Sequence, residues 1–318
     1  MSNQRSYKII SVGDLVADLV ISIPKLPVEA DQNQIADDIQ IEPGGAGNFL
    51  IAGARLGMEM TALGAMGKGD SFSTAILKIL KSEGVNTKPV VLQGSSTTVL
   101  VLVDSSGKHV FLGRYGTGPH IPLSTAWKES IQSADALHGW GYTLKESRLA
   151  QTMLDSMALA RQHQIPVAFD PGPFMRDSSQ DHREAVLQNT SIILLTSEEI
   201  PDITGGLDNQ AGIDYLLDQG IEIVCVKRGA NGCQIHSPKC IAEHPGFNVT
   251  ARDTTAAGDS FAAAFLFGYL NNWDLSQVAL IANAMGAAKV RKIGSGRQVP
   301  TLAEVRAVLA QFNCAITV

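Results

Sequence analysis

Residues 253–261 read DTTAAGDSF and lead directly into a helical run of small and apolar residues, Ala262 to Leu270. Small residues before a helix let the oxygen atoms of a ligand approach the backbone, and the free N–H groups and dipole of a helix start favour anions. Asp259 is unfavourable beside an anion unless it acts as a base. The stretch therefore indicates an anion site with a candidate base, or else a capped helix packed on a sheet.

The chain around this stretch alternates short apolar runs with helical patterns. The apolar runs suit parallel strands covered on both faces and lie at residues 7–12, 167–169, 192–195 and 223–226. Helical patterns lie at residues 47–56, 72–81, 149–160, 260–270, 275–290 and 302–312. The alternation predicts an α/β fold, with a Rossmann-like, doubly wound and mostly parallel sheet.

One region interrupts the alternation. Thr97 to Val103 and His109 to Leu112 flank the turn sequence DSSG, which predicts a β-hairpin with Gly107 at a positive-φ position. With strand-like runs at residues 20–23 and 35–41, this hairpin predicts a second, small sheet. We expect one chain, 1–318, whose small sheet is an inserted lid formed by residues 18–42 and 95–118.

A second glycine-containing stretch, PGGAGN, occupies residues 43–48. Its glycines permit close backbone approach to a ligand, and Asn48 offers donors and acceptors to hydroxyl groups. The alternative is a glycine turn with Asn48 as a helix cap. The spacing fits neither a dinucleotide fingerprint, which needs a small residue at Leu50, nor a phosphate loop ending in Gly-Lys.

The composition narrows the classes of function. Of 318 residues, 45% are hydrophobic and 18% are charged, and the net charge is −6. This balance argues against a nucleic-acid binder, and the apolar runs are too short for a membrane span. Four cysteines without zinc-binding spacing and an N-terminus without a secretory pattern predict a cytoplasmic protein.

The two glycine-containing stretches together are far more specific than either alone, and with them the chain resembles the ribokinase-like (PfkB) carbohydrate kinases. Residues 44–57 resemble the first signature of that family and residues 253–259 the second. Further similar stretches lie at residues 13–18, 67–72, 83–85, 170–171, 199–205, 227–232, 283–284 and 294–300. The resemblance covers nearly the whole chain.

The resemblance implies an ATP-dependent sugar kinase that transfers the γ-phosphoryl group of ATP to a hydroxyl of a sugar or sugar derivative. Asp259 would be the base, and the turn formed by Ala256, Ala257 and Gly258 would hold the phosphoryl group. Asp18 and Asn48 would bind sugar hydroxyls, with Gly44 and Gly45 beside the ring. The alternatives are a nucleoside kinase of the same family, and a sugar-binding sensor on the same fold that has lost turnover.

The resemblance also implies the positions of the cofactors. The nucleotide-side residues would be Thr196, Lys227, Gly229, Gly232 and Asn283. Glu199 would act on Mg²⁺ through water, and Asp253 would take part in a K⁺ site between its own turn and the loop from Lys289 to Gln298. The expected partners are a small-molecule sugar or nucleoside and a second copy of the chain, joined through the lid, with no nucleic acid and no membrane.

Four positions bear on the acceptor. Thr196 stands where the family often has asparagine, and Tyr142 stands nearest to a sugar-binding glutamate of ribokinase itself. These departures argue against ribose as the substrate. Trp140 and Tyr142 would stack on a sugar or a base, or form a buried pair. Arg114, after the lid hairpin, would hold an anionic group of the substrate, or be an ordinary exposed arginine.

Overall fold

The computed structural model of this chain describes residues 6–314. Its strands are β1 (Lys8–Val12), β2 (Leu15–Ile23), β3 (Asp38–Gly45), β4 (Glu59–Leu63), β5 (Ala65–Met66), β6 (Val91–Leu92), β7 (Thr97–Asp104), β8 (His109–Arg114), β9 (Ala136–Trp140), β10 (Val167–Asp170), β11 (Ile192–Thr196), β12 (Ile223–Lys227), β13 (Cys233–His236) and β14 (Ile241–His244). Its α-helices are α1 (Ala46–Arg55), α2 (Ser71–Ser82), α3 (Thr125–Gln132), α4 (Thr143–Glu146), α5 (Ala150–Gln162), α6 (Gln180–Asn189), α7 (Ile200–Thr204), α8 (Asn209–Asp218), α9 (Ala257–Leu270), α10 (Leu275–Val290) and α11 (Leu302–Gln311).

The main sheet has eight strands in the order β14-β13-β12-β11-β10-β9-β1-β4. The six strands from β4 to β12 pair in parallel, and β13 and β14 add an antiparallel edge. Successive side chains of a strand point to opposite faces. In β11, Ile192 and Leu194 accordingly enter one core, and Ile193 and Leu195 the other.

Helices cover both faces of this sheet, as the predicted doubly wound fold requires. The first core packs α1, α2, α9, α10 and α11 against one face, and the second packs α3, α5, α6, α7 and α8 against the other. The predicted α/β fold is confirmed. Within residues 6–314, none of the helices is both long and apolar enough to cross a membrane.

The second, small sheet of the prediction is present and has the strand order β3-β2-β7-β8. Its strands β2 and β3 extend further toward the main sheet than the apolar runs suggest, since Asp18, Gly44 and Gly45 all lie within them. Gly44 pairs with Val16, and Gly45 with Leu15, in the ladder. The alternative of a glycine turn with Asn48 as helix cap is therefore wrong, because Gly44 and Gly45 end a strand and Asn48 lies inside α1. Proline and glycine weaken a strand signal without preventing a strand end from pairing.

The small sheet is fastened to the main domain at two places. Val20, Val101 and Val103 bury one face of it, and Ile293 packs against them. The buried carboxylate of Glu42 accepts hydrogen bonds from the guanidinium of Arg297, at 2.6 Å from Nη2 and 2.9 Å from Nε. These contacts place the loop after α10 between the two sheets.

Candidate active site

The carboxyl ends of the parallel strands meet at one edge of the main sheet, which is where open α/β sheets bind ligands. A cavity of about 530 Å³ lies at this edge and is also lined by the small sheet. The main sheet contributes Asp14 after β1, Trp140 at the end of β9, Asp170 at the end of β10, Glu199 after β11 and Lys227 at the end of β12. The topology alone thus concentrates three carboxylates and one ammonium group here.

Asp259 faces this cavity from the first turn of α9. Its Oδ2 accepts a hydrogen bond from Nδ2 of Asn48 at 2.9 Å. The other end of that amide is also fixed, because Oδ1 of Asn48 accepts from the N–H of Gly296 at 2.7 Å. Asn48 therefore orients the Asp259 carboxylate, in addition to any contact it makes with a hydroxyl group.

Two carboxyl groups of the cavity are poised to change charge near neutral pH. Burial raises the pKa of Asp259 to about 7, with a further rise from Asp170, while the Asn48 hydrogen bond opposes the shift. Burial likewise raises the pKa of Asp18 to about 7, with further rises from Asp259 and Glu42. A base with a pKa near the working pH combines useful ionisation with useful basicity.

The rate is expected to depend on pH in one direction. If Asp259 is the base that the resemblance implies, it must be ionised to accept a proton, and since its pKa is about 7, kcat/KM should rise with pH and level off above that value. One unit below the pKa, about a tenth of the enzyme is active. The measurement is kcat/KM between pH 5.5 and 8.5 with excess Mg²⁺. Asp18→Asn should keep this acid limb, and its disappearance in that variant would assign the limb to Asp18.

The turn before α9 matches the predicted anion site in two of its three residues. Ala256 and Gly258 line the cavity, and Ala256 holds a left-handed φ of 61°. The N–H of Ala257 donates to the carbonyl of Thr254 at 3.1 Å and the residue does not line the cavity, so its contact with a phosphoryl group stays a prediction. The left-handed Ala256 turns the chain so that the next amide closes the turn.

A charged cluster of Asp170, Glu199 and Lys227 lies beside that turn. Nζ of Lys227 donates to Oδ2 of Asp170 at 2.6 Å, and Oε2 of Glu199 accepts from the N–H of Thr196 at 2.7 Å. Burial alone would lower the pKa of Lys227, but the charges of Asp170 and Glu199 raise it. Burial raises the pKa of Glu199, and Asp170 raises it further. The cluster is held together by one shared positive charge.

This cluster fits Mg²⁺ better than a cation with an all-protein shell. Within residues 6–314, no group of three or more His, Cys, Asp or Glu side chains is arranged to hold a metal. Mg²⁺ commonly binds through one or two carboxylates and keeps waters and phosphate oxygens as its other ligands. The carboxylates of Glu199 and Asp170, both on the cavity wall, are such a pair.

On the opposite side of the cavity, Asp18 lies against the two glycines of β3. Asp18 is 6% exposed, and a Cβ atom on Gly44 would collide with its carboxylate. Gly45 has a φ of 51°, and a Cβ atom there would collide with the ring of Trp140. Close packing therefore requires both glycines, Gly44 against Asp18 and Gly45 against Trp140, although only Gly45 itself lines the cavity.

An aromatic wall completes the acceptor side. The rings of Trp140 and Tyr142 lie 4.2 Å apart between centroids, and Phe174 packs edge-on against Tyr142 at 5.0 Å. The hydroxyl of Tyr115 donates to the carbonyl of Tyr142 at 2.8 Å. The rings of Trp140 and Tyr142 pack on each other, but both are only half-buried and line the cavity, so stacking on a sugar or a base stays a prediction.

Arg114 and Asp14 face the same cavity from different directions. Arg114, at the end of β8, lines it from the small sheet, and its guanidinium lies 3.5 Å from Oγ of Ser95. Asp14 is 5% exposed, its Oδ2 has no hydrogen-bond partner, and burial raises its pKa. Sequence reasoning omitted Asp14 and Asp170 as site residues, although Asp170 directly follows one predicted strand and Asp14 comes two residues after another.

The remaining nucleotide-side residues lie outside this cavity. Thr196 ends β11, and the turn with Gly229 and Gly232 follows β12 at the same edge of the sheet. Asn283 is buried on α10, where its Nδ2 donates to the carbonyl of Ala279 at 2.7 Å and to Sγ of Cys233 at 3.1 Å. The amide hydrogens of Asn283 are thus committed to the protein.

The expected ion residue, Asp253, is 1% exposed. Its Oδ1 accepts from the N–H and the hydroxyl of Thr255, at 2.9 and 2.8 Å, and its Oδ2 accepts from the N–H of Gly294 at 2.7 Å. Nδ1 of His109, on β8, lies 4.0 Å from Oδ1. Asp253 therefore ties the turn before α9 to the loop after α10.

Comparison with known proteins agrees with this geometry. Residues 6–302 match the model of the pfkB family carbohydrate kinases. An ATP-dependent ribose-1-phosphate kinase of Halopiger xanaduensis is 29% identical over 306 residues, covering 96% of this chain and 98% of that protein. A nucleoside kinase of Methanothermobacter thermautotrophicus is 26% identical over 317 residues, covering 98% of each. The structure of Arabidopsis thaliana ribokinase with ribose and ATP superposes with a TM-score of 0.80 at 20% identity, covering 96% of this chain and 99% of that one.

The fold, the cavity and the family match together define a phosphotransferase with an alcohol group as acceptor. The chain belongs to the pfkB family of carbohydrate kinases. The predicted resemblance is confirmed over nearly the whole chain.

Proposed function

We propose that this chain transfers the γ-phosphoryl group of ATP to a hydroxyl of a sugar or sugar derivative, with Asp259 accepting the hydroxyl proton. The observation that carries the proposal is the setting of Asp259. It lies at a helix start, is oriented by Asn48, and shares one cavity with Asp18 and Lys227. Phosphoryl transfer asks mainly for positioning and charge stabilisation, which these groups supply.

Each side of the cavity has a role in this proposal. Asp18 accepts hydrogen bonds from acceptor hydroxyls, and the phosphates of ATP lie over the turn at Gly258, close to Lys227. Glu199 and Asp170 hold Mg²⁺, which when bound neutralises charge on the phosphate oxygens. Thr196, Gly229 and Gly232 surround the rest of the nucleotide, whereas Asn283 contributes to the packing of α10 against β13 beneath it. The small sheet closes over the acceptor and excludes water.

The test is a screen of ADP release from ATP and Mg²⁺ in the presence of sugars, sugar phosphates, sugar acids and nucleosides. We expect release that depends on one of these acceptors and that is lost in Asp259→Asn. Acceptor binding without ADP release would instead support the sensor alternative. Absence of both binding and ADP release across the panel would contradict the proposal.

A nucleoside acceptor is the second candidate, and the aromatic wall favours it. The faces and edges of Trp140, Tyr142 and Phe174 line the same cavity as Asp18. Purine and pyrimidine bases stack well on such rings. A nucleoside substrate would show a KM far below that of its free sugar, and Trp140→Leu would remove the difference.

The charge of Arg114 predicts how the enzyme treats an anionic acceptor. A charge-assisted hydrogen bond contributes about 1.5–3 kcal/mol. Arg114→Ala is therefore expected to raise the KM for a phosphorylated sugar, with ribose 1-phosphate as probe, by about tenfold or more. The KM for a neutral sugar should stay unchanged, and Arg114→Lys should fall between. An unchanged KM for the best anionic substrate would show that Arg114 is a surface residue.

We also expect a homodimer joined through the small sheet. Its edge strand β8 exposes Val110, Phe111 and Leu112 by 40%, 50% and 59%. Exposed apolar strand edges favour pairing with another chain. Light scattering at assay concentration should give twice the chain mass, and Leu112→Lys should shift it toward the monomer. A monomeric mass for the unmodified protein would contradict this expectation.

A cytoplasmic setting completes the proposal. Cys225, Cys233, Cys240 and Cys314 all carry free thiols. Free thiols persist in a reducing compartment, where glutathione and thioredoxin keep them reduced.

A further inference from the structure

Lys289, in the last turn of α10, is a lysine whose side chain has no access to solvent, with 0% exposure. An ammonium group in such a place is costly unless hydrogen bonds and opposite charges compensate it. Nζ of Lys289 donates to the carbonyl of Lys292 at 3.0 Å. Burial lowers the pKa of Lys289 to about 8, while Asp253 and Asp259 act against the shift, so the group carries its charge at neutral pH.

The charges around this ammonium belong to the turn that carries the proposed base. The negative charges of Asp253 and Asp259 favour the protonated form of Lys289, and the nearby ammonium of Lys292 disfavours it. Lys292 itself is directed to Glu304, with Nζ at 2.9 Å from Oε1. Asp253 is buried, and its own hydrogen bonds come from backbone N–H groups and one hydroxyl. His109 lies 4.0 Å from it on the lid side.

The position coincides with the place where the resemblance puts a K⁺ ion. That ion would lie between the Asp253 turn and the loop from Lys289 to Gln298. Here a loop carbonyl, that of Lys292, already accepts from an ammonium group of the protein. A second cation bound at the same loop carbonyl would meet strong repulsion from this ammonium. The residues present therefore do not fit a K⁺ site.

We propose that the ammonium of Lys289 is the resident cation of this turn, so that the chain needs no monovalent metal ion. The predicted effect of Lys289 on turnover rests on the proposed kinase function. Lys289 is a positioning residue: its charge holds the Asp253 turn against the loop after α10. The Asp253 turn then places Ala256 and Gly258 on the cavity wall.

The first test uses the unmodified protein and the best acceptor from the screen. Turnover at saturating ATP and Mg²⁺ is compared in potassium chloride and in tetramethylammonium chloride at equal ionic strength. The expected result is equal turnover and equal Tm in the two salts. A K⁺-specific rise in either quantity would overturn the proposal.

The second test removes the ammonium. Lys289→Ala in tetramethylammonium should lose about tenfold or more in kcat with little change in acceptor KM, because the turn is misplaced. Potassium chloride should restore part of kcat and raise Tm by about 2 °C or more, since the vacated space retains a carbonyl and the Asp253 charge. Lys292→Met, which keeps its backbone carbonyl, is the matched control and should show neither effect.

The outcomes separate the two proposals. If Lys289→Ala turns over like the unmodified protein in tetramethylammonium, Lys289 has no positioning role. If Lys289→Ala fails to fold, the comparison of salts on the unmodified protein decides. If no acceptor is found, the Tm of the two proteins in the two salts still tests the resident cation, while the kinase proposal fails.

Discussion

Asp259→Asn is expected to lower kcat by about 10²–10⁴-fold, the usual loss when a general base is removed. The asparagine keeps the size of the side chain, and its Oδ1 can still accept from Nδ2 of Asn48, which lies 2.9 Å from Oδ2 of Asp259. What disappears is the only function the carboxylate has in the proposal, acceptance of the hydroxyl proton. The measurement is steady-state kcat and KM with the best acceptor.

The matched control for this variant is Asp18→Asn. Asp18 lies at the acceptor side and takes no proton in the proposal, so its variant should mainly raise the acceptor KM. Asp259→Asn should leave that KM nearly unchanged, because Asp18 still binds the hydroxyl groups. A folded Asp259→Asn enzyme that turns over within a few-fold of the unmodified one would refute the assignment of the base.

Local signals explain which parts of the fold the sequence predicts well. Helix α10 spans Leu275–Val290, as its periodicity predicts, and a capping box between Asp274 and Gln277 fixes its start. The buried strands β10, β11 and β12 likewise follow from continuous apolar runs. Signals of this kind lie within a few residues of the element they define.

Features that depend on distant partners are the ones the sequence does not reveal. Glu42 and Arg297 are 255 residues apart, and nothing near either predicts their ion pair. Lys289 follows two alanines in a helical pattern, where a lysine is ordinarily exposed. Its burial depends on the folded positions of Asp253 and the loop after α10, which only the tertiary structure brings together.

The dependence on distant partners also explains why the sequence predicts only part of the candidate site. The sequence places Asp259, Asp18 and Lys227 because each lies in or beside a recognisable motif, and the structure brings all three to one cavity. Asn283 lies in a matching stretch too, yet its amide bonds to Cys233 of a distant strand. A motif fixes which residue is present, whereas the direction of its side chain depends on neighbours from elsewhere in the chain.

Lys227→Met is expected to lower kcat by about 10²–10³-fold, the loss typical of removing one fixed group that stabilises developing charge. Nζ of Lys227 lies 2.6 Å from Asp170 and close to Gly258, so its charge is available where the phosphoryl group would pass. Without it, Asp170 and Glu199 face incoming phosphates with no protein cation between them. For the same reason, the kcat of this variant should depend more steeply on Mg²⁺ concentration than that of the unmodified enzyme.

The neighbouring arginine provides the control. Arg228 is a third exposed and lies 3.4 Å from Glu243 on β14, so Arg228→Met should keep the kcat of the unmodified enzyme. Equal losses in Arg228→Met and Lys227→Met would indicate a general electrostatic effect rather than a role specific to Lys227.

Lys227→Met also removes one partner of a buried ion pair, which typically destabilises a protein by about 3–5 kcal/mol. A double variant, Lys227→Met with Asp170→Asn, separates this structural effect from the chemical one, because it leaves no unpaired charge at Asp170. Urea unfolding of the double variant should recover most of the lost stability, while kcat stays low. Recovery of kcat together with stability would show that Lys227 acts only by neutralising Asp170. A kcat of the stable double variant that lies well below that of Asp170→Asn alone means that the ammonium itself is needed by the transferring phosphoryl group, since both variants lack the Asp170 carboxylate proposed to hold Mg²⁺.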